Sequence, residues 1–146
     1  MRWMKELGKV YREHRDALFV EVPLSRLEHT MEVIKRHGIT TINGISGHDS
    51  GVAVEVLYHF IHAGMVLTIK VRISREKPSI PTITGLFPSA TLYESENHEM
   101  LGIDFVGNAN LKPVLFSKDT PKCPLRKKDL GMNLPPKQRK PSSEDK

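Results

Sequence analysis

A single cysteine, Cys123, stands in a chain of 146 residues. One thiol excludes an internal disulfide framework, a self-contained zinc site of several thiolates, and an iron–sulfur cluster, which normally needs four. Long hydrophobic runs are missing too: no window approaches the roughly 18 uninterrupted apolar residues of a membrane span. The opening Met1-Arg2-Trp3-Met4-Lys5-Glu6 lacks the apolar stretch of a secretory signal. Aromatic residues are sparse, and none follows Phe116. The length suits one domain and is short for two cores. With 27% charged and 38% hydrophobic residues, what remains is an ordinary globular composition.

The net charge of +5 is unevenly placed. Residues 1–117 hold 13 basic and 13 acidic side chains, whereas 118–146 hold 9 and 4 and carry the entire excess. The same stretch contains five of the ten prolines, Pro121, Pro124, Pro135, Pro136 and Pro141. We therefore place a boundary near Ser117, with a folded domain over 1–117 and a basic, Pro-rich tail over 118–146. The tail's apolar side chains, Cys123, Leu125, Leu130, Met132 and Leu134, are too few to offset the entropy of ordering it. It is expected to take shape by docking on a partner subunit, its Pro-rich segments extended along that surface.

Within the body, Trp3, Leu7 and Val10-Tyr11 recur at helical spacing and predict an amphipathic first helix. Residues 17–22 read as a short strand. Ser25-Arg26-Leu27-Glu28 has the form of a capping box, whose hydroxyl and carboxylate satisfy free amides at a helix start. Leu27, Met31 and Ile34 then form an apolar face, Lys35-Arg36-His37 set positive charge against the carbonyl end, and Gly38 supplies the stop. Three strands follow, over 39–45, 52–61 and 65–75. The first two are separated by a polar turn cluster, Ser46-Gly47-His48-Asp49-Ser50-Gly51, and the last two by His62-Ala63-Gly64. In the third, Met65, Leu67, Ile69, Val71 and Ile73 point one way and Thr68, Lys70, Arg72 and Ser74 the other. Short connections make these neighbours antiparallel. The expected fold is α+β: an antiparallel sheet of about four strands covered by helices on one face, with an extended C-terminal tail.

Residues 87–107 form one more helical unit. Pro88 and Ser89 suit a helix start, and Gly102 followed by Ile103 suits a C-cap with its hydrophobic contact. At about 100° per residue, Ala90, Tyr93, Asn97, Met100 and Leu101 share one stripe. Glu94 and Glu96 flank it on opposite edges, Glu99 points away, and His98 lies one turn after Glu94.

No catalytic, cofactor-binding or metal residues emerge from these patterns. Glu94 and Glu96 lie about 200° apart around the helix axis and cannot close on one substrate atom. Glu96 and Glu99 read as a solvated acidic face, and the helix dipole gives Glu94 a structural reason near the helix start. His59 and His62 are spaced H-x-x-H at a strand end, which sends their rings to opposite faces. His48-Asp49 lies in the turn cluster, and no H-E-x-x-H or paired Cys accompanies these histidines. Gly44, Gly47 and Gly51 lack the order of a nucleotide-binding loop. Neither Ser nor Cys has the partner pattern of a nucleophile, which leaves an independent small enzyme the weakest reading. The tail's Lys118, Lys122, Arg126, Lys127, Lys128, Lys137, Arg139 and Lys140 leave open a nucleic-acid-binding module that meets phosphates. Without an aromatic residue for base stacking, such binding would be blind to sequence.

Phe87-Pro88-Ser89-Ala90, Glu94, Glu96, Glu99, Met100-Leu101, Gly102-Ile103, Phe105, Gly107, Leu111 and Leu115-Phe116 resemble the signature of a known family. It is the thirty-kilodalton subunit family of respiratory NADH dehydrogenase (complex I), shared with energy-converting membrane-bound hydrogenases. The match extends loosely back to Asp16. Ser95 stands where the family usually has Arg, so a salt bridge made by that Arg cannot form, and Asn108-Ala109 stand where His-Pro is common. His98-Glu99-Met100-Leu101-Gly102 is closer to the hydrogenase branch, and no large subunit is fused to this sequence. The resemblance implies a non-catalytic subunit of the hydrophilic arm of a ferredoxin-linked complex, on the cytoplasmic side of the cell membrane. It would brace the large hydrogenase-like subunit beside the small iron–sulfur subunit. A protein of this kind carries no cofactor; iron–sulfur clusters and a metal centre or quinone site belong to its partners, and nucleic acid is not among them. The signature residues Tyr93, Glu94, Glu96, His98, Glu99, Gly102, Phe105 and Gly107 are then expected at an interface. Lys122, Arg126, Lys127, Lys128 and Arg139 are the expected tail contacts.

Overall fold

The computed structural model of the chain describes residues 2–111 and 123–127. The chain runs through α1 (Arg2–Lys5), β1 (Lys9–Glu13), β2 (Ala17–Glu21), α2 (Leu27–Arg36) and β3 (Gly44–Asp49). It continues through β4 (Ala53–His62), β5 (Met65–Ser74), β6 (Ser79–Pro81), α3 (Ala90–Leu101) and β7 (Asp104–Val106). Five strands form one sheet in the order β1-β2-β5-β4-β3, and β6 and β7 pair separately.

The α+β class is as expected, but the sheet is mixed instead of antiparallel. β3-β4-β5 is the expected antiparallel meander, joined by tight turns. β2 lies parallel to β5, with Val20 opposite Ile69. Short connections fix antiparallel pairing only between consecutive strands. β2 is separated from β5 by α2 and two further strands, and the meander returns β5 beside it in the same direction. The fifth strand comes from the predicted first helix, of which only Arg2–Lys5 is helical. After Gly8 the chain turns into β1, which takes its backbone hydrogen bonds from β2, Lys9 standing opposite Glu21. Helical spacing of a few apolar residues does not encode that neighbouring sheet edge.

β3 is likewise displaced from its predicted place. Ser46, Gly47, His48 and Asp49 belong to the strand, Ser46 opposite Leu57 and Asp49 opposite Val54, and the turn is confined to residues 50–52. Pairing with β4 overrides the low strand preference of those polar residues. α2 has its predicted apolar face but no capping box. A 3₁₀ turn over Leu24–Arg26 feeds the helix, so Ser25 lies inside a turn and Arg26 takes the N-cap without a side-chain bond.

Alternation along β4 and β5 divides the sheet into two faces. Val54, Val56, Tyr58 and Phe60, with Leu67, Ile69, Val71 and Ile73, are buried on the inner face. Leu27, Met31 and Ile34 of α2 and Ala90 and Leu101 of α3 join the same core. On the outer face Lys70 and Arg72 meet Glu21 and Glu55 at 3.4–3.9 Å. There His59 bridges Ser46 and Thr68 at 3.0 and 2.9 Å, and burial lowers its pKa. Among the described residues, no helix is long and apolar enough to cross a membrane.

Candidate partner interface

The signature helix is built as its sequence predicts. α3 begins after Pro88 and Ser89 and ends at Gly102, whose φ of 73° is a left-handed cap and whose N–H donates to the His98 carbonyl. Ile103, buried, follows as the cap's hydrophobic contact. His98 Nδ1 donates to the Ile103 carbonyl at 2.8 Å and tightens that corner. The helix lies directly on β3 because Gly47 leaves room for it. A Cβ there would stand 2.1 Å from Leu101 Cδ1 and 2.7 Å from Asn97 Oδ1. Asn97 stitches the contact, donating to the Ile45 carbonyl at 2.9 Å and the Tyr93 carbonyl at 2.8 Å.

Glu94 is wholly enclosed. Its Oε1 accepts from Thr82 Oγ1 at 2.6 Å and Asn108 Nδ2 at 2.8 Å, and its Oε2 accepts from the Ile83 N–H at 2.9 Å. One carboxylate thus ties α3 to the loop after β6 and to the turn after β7. Burial raises its pKa, and the three hydrogen bonds offset part of that rise. The Tyr58 hydroxyl is also buried and, among the described residues, has no hydrogen-bond partner. Burial and then the nearby Glu94 push its pKa well up.

A second buried carboxylate closes the other end of α3. Asp49 Oδ1 accepts from the Gly51 N–H at 2.9 Å and Arg75 Nε at 2.7 Å. Its Oδ2 accepts from Arg126 Nε at 3.1 Å and the Lys127 N–H at 2.6 Å. Arg126 also donates to the carbonyls of Leu101 and Arg75, Arg75 donates to the Lys127 carbonyl, and the Leu125 N–H donates to the Met100 carbonyl. Burial alone would raise the Asp49 pKa; the hydrogen bonds from Arg75, Gly51, Lys127 and Arg126 outweigh it and hold the group well below the usual carboxylate range. Sequence reasoning missed this node. Asp49-Ser50-Gly51 carries the local signal of a side-chain-capped turn, but nothing in the sequence joins Asp49 to Arg75 or Arg126.

Several predicted contact residues therefore serve the fold. Glu94 and Phe105, expected at an interface, are buried within the chain. Gly107 shapes the turn after β7. Tyr93, Glu96, His98 and Glu99 are half-buried on α3. Arg126 and Lys127 are brought onto the chain's own Asp49, while Lys122, Lys128 and Arg139 lie outside the described residues. Both departures from the family pattern are put to use: Ser95 Oγ donates to the Asn110 carbonyl at 3.2 Å, and Asn108 donates to Glu94. Among the described residues no three His, Cys, Asp or Glu side chains gather as a metal site.

The family model for the respiratory-chain NADH dehydrogenase 30 kDa subunit matches residues 20–132. The chain belongs to that family. It is 31% identical over 135 residues to the C subunit of the NADH-quinone oxidoreductase of Moorella thermoacetica, covering 86% of this chain and 91% of that one. Other curated relatives are longer, and the chain spans between 12% and 58% of their length. Among solved structures, it matches one of the membrane-bound sulfane sulfur reductase, an archaeal respiratory membrane complex. The TM-score is 0.69 at 25% identity, over 85% of this chain and 78% of that one. The trypsin-resistant fragment (1–134) of Nqo5 shares the fold with a TM-score of 0.68 at 24% identity, over 75% of this chain and 97% of the fragment. As a member of the 30 kDa family, the protein is a subunit of a complex I-like oxidoreductase.

Proposed function

We propose that this chain is a non-catalytic structural subunit of the hydrophilic arm of a membrane-bound, ferredoxin-linked hydrogenase or a related complex I-like oxidoreductase. It braces the large hydrogenase-like subunit beside the small iron–sulfur subunit, on the cytoplasmic side of the membrane. Iron–sulfur clusters and a metal centre or quinone site are assigned to those partners. The observation that carries this reading is the use made of the signature. Its central carboxylate, Glu94, is enclosed and spent on three hydrogen bonds within the chain, which supports a shape-building role for that residue. The likeness to the sulfane sulfur reductase complex supports the same class of assembly. The flanks of α3, Glu96 and Glu99 on one and His98 on the other, together with the tail, are the proposed contact surfaces.

The test is recovery of partners from solubilised membranes with the affinity-tagged full chain, beside a chain lacking 128–146. We expect the full chain to bring down a large hydrogenase-like subunit and iron–sulfur proteins, and the shortened chain to fold but recover much less. Recovery without those proteins would overturn the subunit reading, and undiminished recovery by the shortened chain would overturn the role of the tail. A nucleic-acid module would instead retain nucleic acid in a manner that weakens steeply with salt.

A further inference from the structure

We infer that Asp49 is a built-in anchor that takes up Arg126 and Lys127 within the free chain, so that the tail leaves the domain from a fixed point at the end of β3. Among the described residues, 123–127 are seated by bonds to the body of the chain. Arg126 spreads its guanidinium over three acceptors: the Asp49 carboxylate of β3, the Leu101 carbonyl of α3 and the Arg75 carbonyl just after β5. The Leu101 carbonyl closes the last turn of α3 and has no partner within the helix, so Arg126 satisfies a group the helix leaves open. Asp49 itself is fully buried and is also bonded by Arg75 and the Gly51 N–H, which belong to the body. The segment's donors are thus matched by acceptors of the body. Gly102 completes the seat, since a Cβ there would stand 2.8 Å from Cys123 Sγ. The family match, over 20–132, includes this segment.

Cys123, the one thiol of the chain, lies in the anchored segment and reports on it. We expect iodoacetamide to alkylate Cys123 in the full chain several-fold more slowly than in the urea-unfolded chain, because the seated segment holds the thiol half-buried against Gly102. Arg126→Gln, which removes three donors and leaves the body's own bonds in place, should return the rate toward the unfolded value. A wild-type rate equal to the unfolded rate, or a rate unmoved by Arg126→Gln, would overturn the anchor. Limited trypsin digestion reads the same contact independently: cleavage after Arg126 should be slow in wild type and fast in Asp49→Asn, and equal rates would refute the proposal. Neither assay contains a partner, so failure here leaves the subunit reading standing, and failure of partner recovery leaves the anchor standing.

Discussion

Replacing Glu94 separates a structural carboxylate from a reactive one. In Glu94→Ala the Ile83 N–H, a backbone group that cannot turn away, loses its acceptor in a buried setting. Such a stranded donor costs about 1–3 kcal/mol. Thr82 can turn its hydroxyl toward Thr84, 2.9 Å away, but Asn108 also loses an acceptor. The void left under α3 adds about 1–2 kcal/mol, and removal of a buried charge offsets part of the total. We expect a net loss of about 2–4 kcal/mol, a large share of the roughly 5–15 kcal/mol that holds a domain together. Glu94→Gln keeps the shape and an acceptor for Ile83 while setting an amide against Asn108, and should cost about 1 kcal/mol. Urea denaturation followed by far-UV circular dichroism measures both. The pH dependence gives a second arm. Because the folded-state pKa of Glu94 is raised, its contribution is complete below the ordinary value of about 4.3 and is lost as pH rises through the folded value. The wild-type stability curve should therefore fall, relative to that of Glu94→Gln, across that rise. An alanine variant costing less than about 1 kcal/mol, or a glutamine variant worse than alanine, would refute the reasoning.

Asp49 should show the opposite sign. Its folded pKa is depressed, so its contribution is present above about pH 4 and lost as pH falls further. The wild-type and Asp49→Asn stability curves should converge in acid, and a gap unchanged from pH 6 to pH 2 would contradict this. Gly47→Val should force α3 off β3 at a cost of about 1–3 kcal/mol or more; full retention of the wild-type urea midpoint would show that the helix does not pack there. Tyr58→Phe removes a buried hydroxyl with no partner among the described residues, and should be neutral or stabilising by up to about 1 kcal/mol. A clear loss of stability would mean that the hydroxyl has a partner.

Local patterns carried much of the fold. The 3.6-residue stripe of α2, the strict alternation of β5 and the Pro-Ser start and Gly-Ile end of α3 are each set by neighbours within a few residues, and each was legible. The signature over 87–107 was legible as well, and it led to the family. The tertiary structure decided what depends on partners remote in the chain. β1 is a strand because β2 offers an edge, β2 is parallel to β5 because of the path between them, and β3 reaches Asp49 because β4 pairs with it that far. Both buried carboxylates belong to the same class. An acidic side chain on a helix or in a turn is written alike in sequence whether water or a buried donor meets it. Glu94 finds Asn108 14 residues away, and Asp49 finds Arg126 at a separation of 77. Desolvation and hydrogen bonding act through space, and only the folded chain shows which donors stand close enough to make a charge an anchor.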